Sequence, residues 1–155
     1  MYKLPRMNQD EVNQVLRTQV LCRIAFNDVT HPYIAPFQYV FLNDVLYFHF
    51  TNYGRKMRLL KRDNRVCVEV ESYTTDLSQY NFIIIRGKLI EVTDSSERNN
   101  VINHIAQTGR ARFSPQFLAA HGLNVDQTWT SYIVDQPLLI LKLEEIVEMF
   151  GLRSP

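Results

Sequence analysis

Tyr47-Phe48-His49-Phe50-Thr51-Asn52-Tyr53-Gly54-Arg55-Lys56 is the stretch on which the rest of the chain turns. Its aromatic first half reads as a strand and Asn52-Tyr53-Gly54 as a turn. Met57, Leu59 and Leu60 then interleave with Arg58, Lys61 and Arg62 as a short basic amphipathic helix. A strand that feeds a helix directly sets the free N–H groups of the first helical turn, and the positive end of the helix dipole, beside the strand end. Such an end attracts an anion even without charged side chains. Arg55 can add a forked pair of hydrogen bonds to phosphate oxygens, Lys56 a compact charge, and the Thr51 hydroxyl a further bond. Gly54 lets the backbone approach closely. By charge spacing alone, Arg55, Lys56, Arg58, Lys61 and Arg62 read as a solvated helix face, as most charge runs do. The order of the elements favours an anion site.

Upstream of this corner, Asn8 with Glu11 forms a capping box ahead of Val12, Val15 and Leu16, predicting a first helix to about Thr18. Val20–Phe26 reads as a strand closed by Asn27-Asp28. Tyr33–Leu42 is a second, long strand, and Asn43-Asp44 connects it tightly to Val45–Phe50 as a hairpin of undefined turn type. Downstream, Val66–Glu71 alternates with a period of two, as a half-exposed strand does. Phe82–Val92 is a further strand, with Gly87 marking a bulge or a close backbone approach. Asp94 and Glu97 start a helix to about Thr108, and Ser114-Pro115 a short fourth helix to about Ala120. His121–Asp135 reads as a loop. Leu138–Phe150 supplies the last strand, although Leu-Glu-Glu-Ile-Val-Glu is compatible with helix. Six strands in mostly hairpin-like order predict a mainly β, six-stranded barrel spanning residues 1–155 as a single domain.

The chain has 155 residues, 46% of them hydrophobic, which suits one domain with its own core and excludes a disordered chain. Its 17 basic and 16 acidic residues nearly cancel, against the basic excess of a nucleic-acid binder. No stretch has the length of a membrane span or the apolar core of a signal peptide, so a soluble cytoplasmic protein is expected. Cys22 and Cys67 lack metal-ligand spacing and read as buried thiols. No His, Cys and carboxylate combination suggests a metal site.

Tyr47–Lys56, followed by Leu59-Leu60 and Asp63-Asn64-Arg65-Val66, resembles the FMN-binding split-barrel family, which includes pyridoxamine phosphate oxidase and nitroimidazole-reductase-type proteins. Thr51, Arg55 and Lys56 match the oxidase pattern, whereas Gly54 stands where Ser is usual and Arg65 where Pro is usual. Pro32-Tyr33, Pro36, Tyr47-Phe48-His49, Gly54 and Lys56 match the nitroimidazole-type group. The likeness runs from Ile24 to Asp94. It implies a split β-barrel homodimer with FMN in clefts at the subunit interface, the phosphate held by Thr51, Arg55 and Lys56. It implies too that the strand around Pro36, Phe37 and Gln38 lies along the isoalloxazine ring, mostly through its backbone, with Phe50 beside the flavin.

His49 alternates with Tyr47 and Thr51 and so shares their face, either toward the flavin or as a histidine capping a backbone carbonyl within the barrel. Trp129 either closes the edge of the core or covers a flavin or partner surface. His31, His104 and His121 read as surface or loop residues. Ser114 and Ser131 lack a nucleophile-elbow context, and no dinucleotide-binding glycine motif occurs. Residues 138–155 lack the Arg-x-His motif with which the oxidases bind pyridoxamine phosphate. The expectation is therefore an FMN-dependent oxidoreductase reducing a small planar acceptor, with no assigned catalytic residue. The alternatives are a flavin-binding module without turnover, or a haem-handling barrel with a histidine ligand.

Overall fold

Apolar alternation closes the strands into a barrel in the computed structural model, which describes residues 3–116 and 139–155. The elements are α1 (Gln9–Thr18), β1 (Leu21–Phe26), β2 (Tyr33–Leu42), β3 (Val45–Phe50), α2 (Arg55–Arg62), β4 (Arg65–Tyr73), β5 (Tyr80–Glu91), α3 (Ser95–Arg112) and β6 (Leu139–Arg153). The strands run β1-β2-β3-β6-β5-β4 around a closed antiparallel barrel, with β4 pairing back onto β1. Closure removes the exposed strand edges that an open sheet must protect.

The hairpin between β2 and β3 pairs Leu42 with Val45, and Asn43 and Asp44 have φ of 49° and 61°. Both central residues are left-handed, as in the type I′ turn that matches strand twist; Asn and Asp tolerate that conformation without a glycine. The capping box forms as read: Asn8 accepts from the Glu11 N–H while Glu11 accepts from the Asn8 N–H at 2.7 Å. At Gly87 the β5–β6 register shifts, and a Cβ there would meet the Glu144 carbonyl oxygen at 2.7 Å.

Ile24, Phe26, Phe37, Phe48, Phe50 and Val68 lie at the centre of the interior cluster. The apolar stripes of α1 and α2 pack onto that cluster through Leu16, Met57 and Leu59. A second cluster lies outside the barrel, where Val101, Ile102, Ile105 and Ala106 of α3 cover Val40, Tyr47 and Ile140. Polar contacts fix α3 there: Tyr47 Oη donates to Glu97 Oε1 at 2.8 Å, and Lys142 Nζ lies 3.1 Å from Glu97 and 2.9 Å from Glu144. Burial, reinforced by the Glu97 hydrogen bond, pushes the Tyr47 phenol up to about 12. Cys22 is buried and Cys67 half-buried, both as free thiols.

Several boundaries differ from the sequence reading. Helix α3 runs on to Arg112 because Gly109 is buried on the same stripe as Ile105 and Ala106. Strand β4 continues to Tyr73 and β5 begins at Tyr80, since Glu71–Tyr73 pairs with Tyr80–Phe82. The helical option for β6 is not taken, because the segment pairs with β3 on one side and β5 on the other. The fourth helix to Ala120, the His121–Asp135 loop, Trp129 and Ser131 reach into or lie outside the described residues. Among the described residues no helix is long and apolar enough to cross a membrane.

Candidate functional site: a cationic corner between β3 and α2

Strand β3 ends at Phe50, and Thr51–Gly54 turns the chain into α2. Gly54 is the N-cap, at φ 91°, with open space where a Cβ would stand and no side chain capping the helix. Helices α1 and α3 are capped by Asn8 and Asp94. The first turn of α2 has no acidic residue but carries Arg55 and Lys56 at the positive end of the dipole. Like charge there is unfavourable, by roughly 0.3–1 kcal/mol per group at an exposed site, unless an anion joins it.

The two cations are placed differently. Lys56 Nζ lies over the Phe37 and Phe50 rings, 4.9 and 5.6 Å from their centroids. Among the described residues it has no ion pair or hydrogen bond, and burial pushes its ammonium below the usual lysine range. Arg55 instead donates to Asp28 Oδ2 at 2.9 Å and lies 4.7 Å above the Tyr33 ring. Asp28 also takes Arg62 at 3.4 Å and the Val29 N–H at 2.7 Å. The Arg55 hydrogen bond, followed by that from Val29, holds the Asp28 carboxyl down to about 2. The Thr51 hydroxyl makes only a long, 3.4 Å contact to the Tyr53 carbonyl. Free helix N–H groups, an unpaired ammonium and a weakly engaged hydroxyl together suit a phosphate monoester.

The flanking strands divide the remaining candidates by face. Phe37 and Phe50 point into the barrel, 6% and 1% exposed, and stack at 4.5 Å between centroids. The Phe50 side chain faces the barrel interior and forms the floor beneath Lys56. His49 lies on the opposite face from Phe48 and Phe50, which belong to the interior cluster. Pro36 is exposed on that outer face. Gln38 shares the face, is 7% exposed, and among the described residues its Nε2 has no hydrogen-bond partner. A buried amide donor without a partner is costly unless another group meets it.

Among the described histidines, His31 is exposed, and His104 Nδ1 lies 3.0 Å from the Asn100 carbonyl on α3. No described cluster of His, Cys, Asp or Glu has metal-site geometry. Sequence reasoning missed Asp28, read only as a turn residue; Gln38 was named, but for its backbone and not for its side-chain amide. The parity of β2, with Phe37 inside, was the signal that Pro36 and Gln38 face outward together.

A closed six-stranded antiparallel barrel with a strand-to-helix corner of this kind defines a split-barrel protein. The sequence profile of the pyridoxamine 5'-phosphate oxidase family matches residues 8–131, and the chain belongs to that family. Solved structures share the fold at low identity. A FAD-binding protein from Mesorhizobium loti is 16% identical, with TM-score 0.71, covering 99% of this chain and 100% of its own. A candidate 5-nitroimidazole antibiotic resistance protein from Bacteroides thetaiotaomicron is 19% identical, with TM-score 0.63 and coverages of 99% and 91%. A FAD and heme binding protein from Mycobacterium smegmatis is 14% identical, with TM-score 0.64 and coverages of 95% and 71%. Comparison with curated proteins finds no match.

Proposed function

We propose that this chain binds a flavin, FMN by preference, as a homodimer, and is an oxidoreductase acting on a small planar acceptor. The observation that carries the reading is Lys56, half-buried at the uncapped start of α2 and without an anion among the described residues. The phosphate takes Lys56, the first-turn N–H groups of α2 and the Thr51 hydroxyl, with Arg55 at the rim. Family membership supports a flavin, and two of the structural relatives described above are FAD-binding proteins.

When bound, the flavin supplies the redox chemistry. The chain's own residues bind and orient it. The Phe37–Phe50 stack holds Lys56 in place from below. The outward row of Pro36, Gln38 and His49 offers a flat edge, where the Gln38 amide can donate to a carbonyl or ring nitrogen of the flavin. Leu21 and Ile34, 52% and 60% exposed on the same side of β1 and β2, support a second copy of the chain covering this face. Without the Arg-x-His motif in residues 138–155, pyridoxamine phosphate is not the favoured substrate. No described side chain stands out as acid, base or nucleophile, which favours a carrier without turnover as the second reading.

Absorption and mass spectra of the copurifying small molecule test the proposal, followed by turnover with NADH or NADPH against a panel of nitroaromatic and quinone acceptors. Flavin bands with turnover support it. A flavin-loaded protein inert across the panel leaves the carrier. A colourless protein that gains no thermal stability from FMN or FAD contradicts both.

A further inference from the structure

One carboxylate, Asp28, stands against the phosphate corner. Asp28 lies in the connection between β1 and β2, with its side chain 18% exposed. Its Oδ2 is 2.9 Å from Arg55 Nη2 and its Oδ1 3.4 Å from Arg62 Nη2. The connection is fastened to α2 independently of that carboxylate: Arg62 donates to the Asn27 carbonyl at 2.8 Å, and the Asn27 amide donates to Asp63 at 3.0 Å. Helix α2 itself contains no acid. Of the two cations in its first turn, one is neutralised by Asp28 and the other, Lys56, by nothing described.

We propose that Asp28 is an internal anion that competes with the flavin phosphate for Arg55, and so sets how strongly the corner prefers a phosphorylated over an unphosphorylated ligand. The inference rests on the corner being the flavin-phosphate site. Carboxylate and phosphate oxygens want the same donors, and a guanidinium held by one presents fewer N–H groups to the other. Two negative charges near one arginine also repel. Exchanging Asp28 for a neutral residue frees Arg55 and removes the repelling charge, and both effects tighten phosphate binding. Neither acts on riboflavin, which has the ring but no phosphate. The Asn27 and Arg62 contacts remain to hold the connection, so the exchange is local.

The test is D28N, with the less isosteric D28S beside it, in the full chain. Affinities for FMN and riboflavin are measured by quenching of flavin fluorescence, and the readout is their ratio. That ratio is insensitive to a partial loss of folded protein. D28N is expected to raise the FMN-to-riboflavin preference by about fivefold, the size of one screened charge interaction near a surface. In an R55A background the same exchange should lose more than half of this gain, because its main route is through the guanidinium. A lowered preference in D28N and D28S would make Asp28 a residue that orients Arg55 toward phosphate, and an unchanged one would uncouple it from the site. Either result, in a protein whose wild type prefers FMN, overturns this inference alone. A wild type with no preference for FMN refutes the corner itself and the inference with it.

Discussion

Replacing Lys56 by alanine should weaken FMN binding by ten- to a hundredfold and leave riboflavin binding nearly unchanged. The Lys56 ammonium sits over the Phe37 and Phe50 rings, has no carboxylate among the described residues, and is partly withdrawn from water. A charge-assisted hydrogen bond made in that setting is worth about 1.5–3 kcal/mol, which is roughly the factor just given. Arg55→Ala should cost less, about threefold, because Asp28 already holds one side of that guanidinium. The two substitutions would look alike if Arg55 and Lys56 were merely neighbouring charges on a helix face. Fluorescence titration of each variant with FMN and riboflavin separates the cases, and thermal unfolding without ligand checks folding. Losing an unpaired, desolvated cation should leave the empty protein no less stable. Equal losses for FMN and riboflavin, or a larger loss in R55A than in K56A, would refute the reasoning.

The lowered Lys56 pKa also predicts pH effects. The unfolded chain holds the proton up to about the ordinary 10.5, so the empty protein gains stability as pH rises from the lowered folded value toward 10.5, and K56A lacks that component. FMN affinity runs the other way and falls through the same window, relative to riboflavin, because phosphate prefers the charged ammonium. Asp28 has the opposite linkage: its contribution is present above the ordinary 3.8 and is lost as pH falls toward about 2, so D28N should flatten acid denaturation there. Tyr47→Phe removes the hydrogen bond to Glu97 but leaves Lys142 on that carboxylate. A loss of about 1–2 kcal/mol in urea unfolding is expected, with a shallower alkaline decline between the ordinary 10.0 and about 12. Gly87→Ala forces a Cβ against the Glu144 carbonyl, a backbone clash rather than a flexible tip, and should cost about 1–3 kcal/mol in the same assay.

The corner was legible because three local signals coincide there: a period of two ends at Phe50, a glycine follows, and a period of 3.6 starts with Arg55. Gly87 was legible for a similar reason, since a glycine within a strand points to a bulge or a close approach. The face of each candidate was harder to read. Alternation establishes that Phe37 and Gln38 point opposite ways, but which of them enters the barrel depends on closure through β1 and β4. Phe50 and His49 divide in the same way. Asp28 was invisible as a site residue because its pairing with Arg55 spans 27 positions and arises only when the β1–β2 connection folds beside α2. The end of α3 was read at about Thr108, whereas the helix runs on to Arg112 with Gly109 among its buried residues.

The central claim is that the start of α2 holds the phosphate of a flavin, and titrating the purified chain with FMN and with riboflavin under identical conditions tests it most directly. Lys56, the Thr51 hydroxyl and the uncapped first turn of α2 predict FMN binding tighter by at least about tenfold, the worth of a single charge-assisted contact. Equal affinities for the two ligands, or tighter binding of riboflavin, would contradict it.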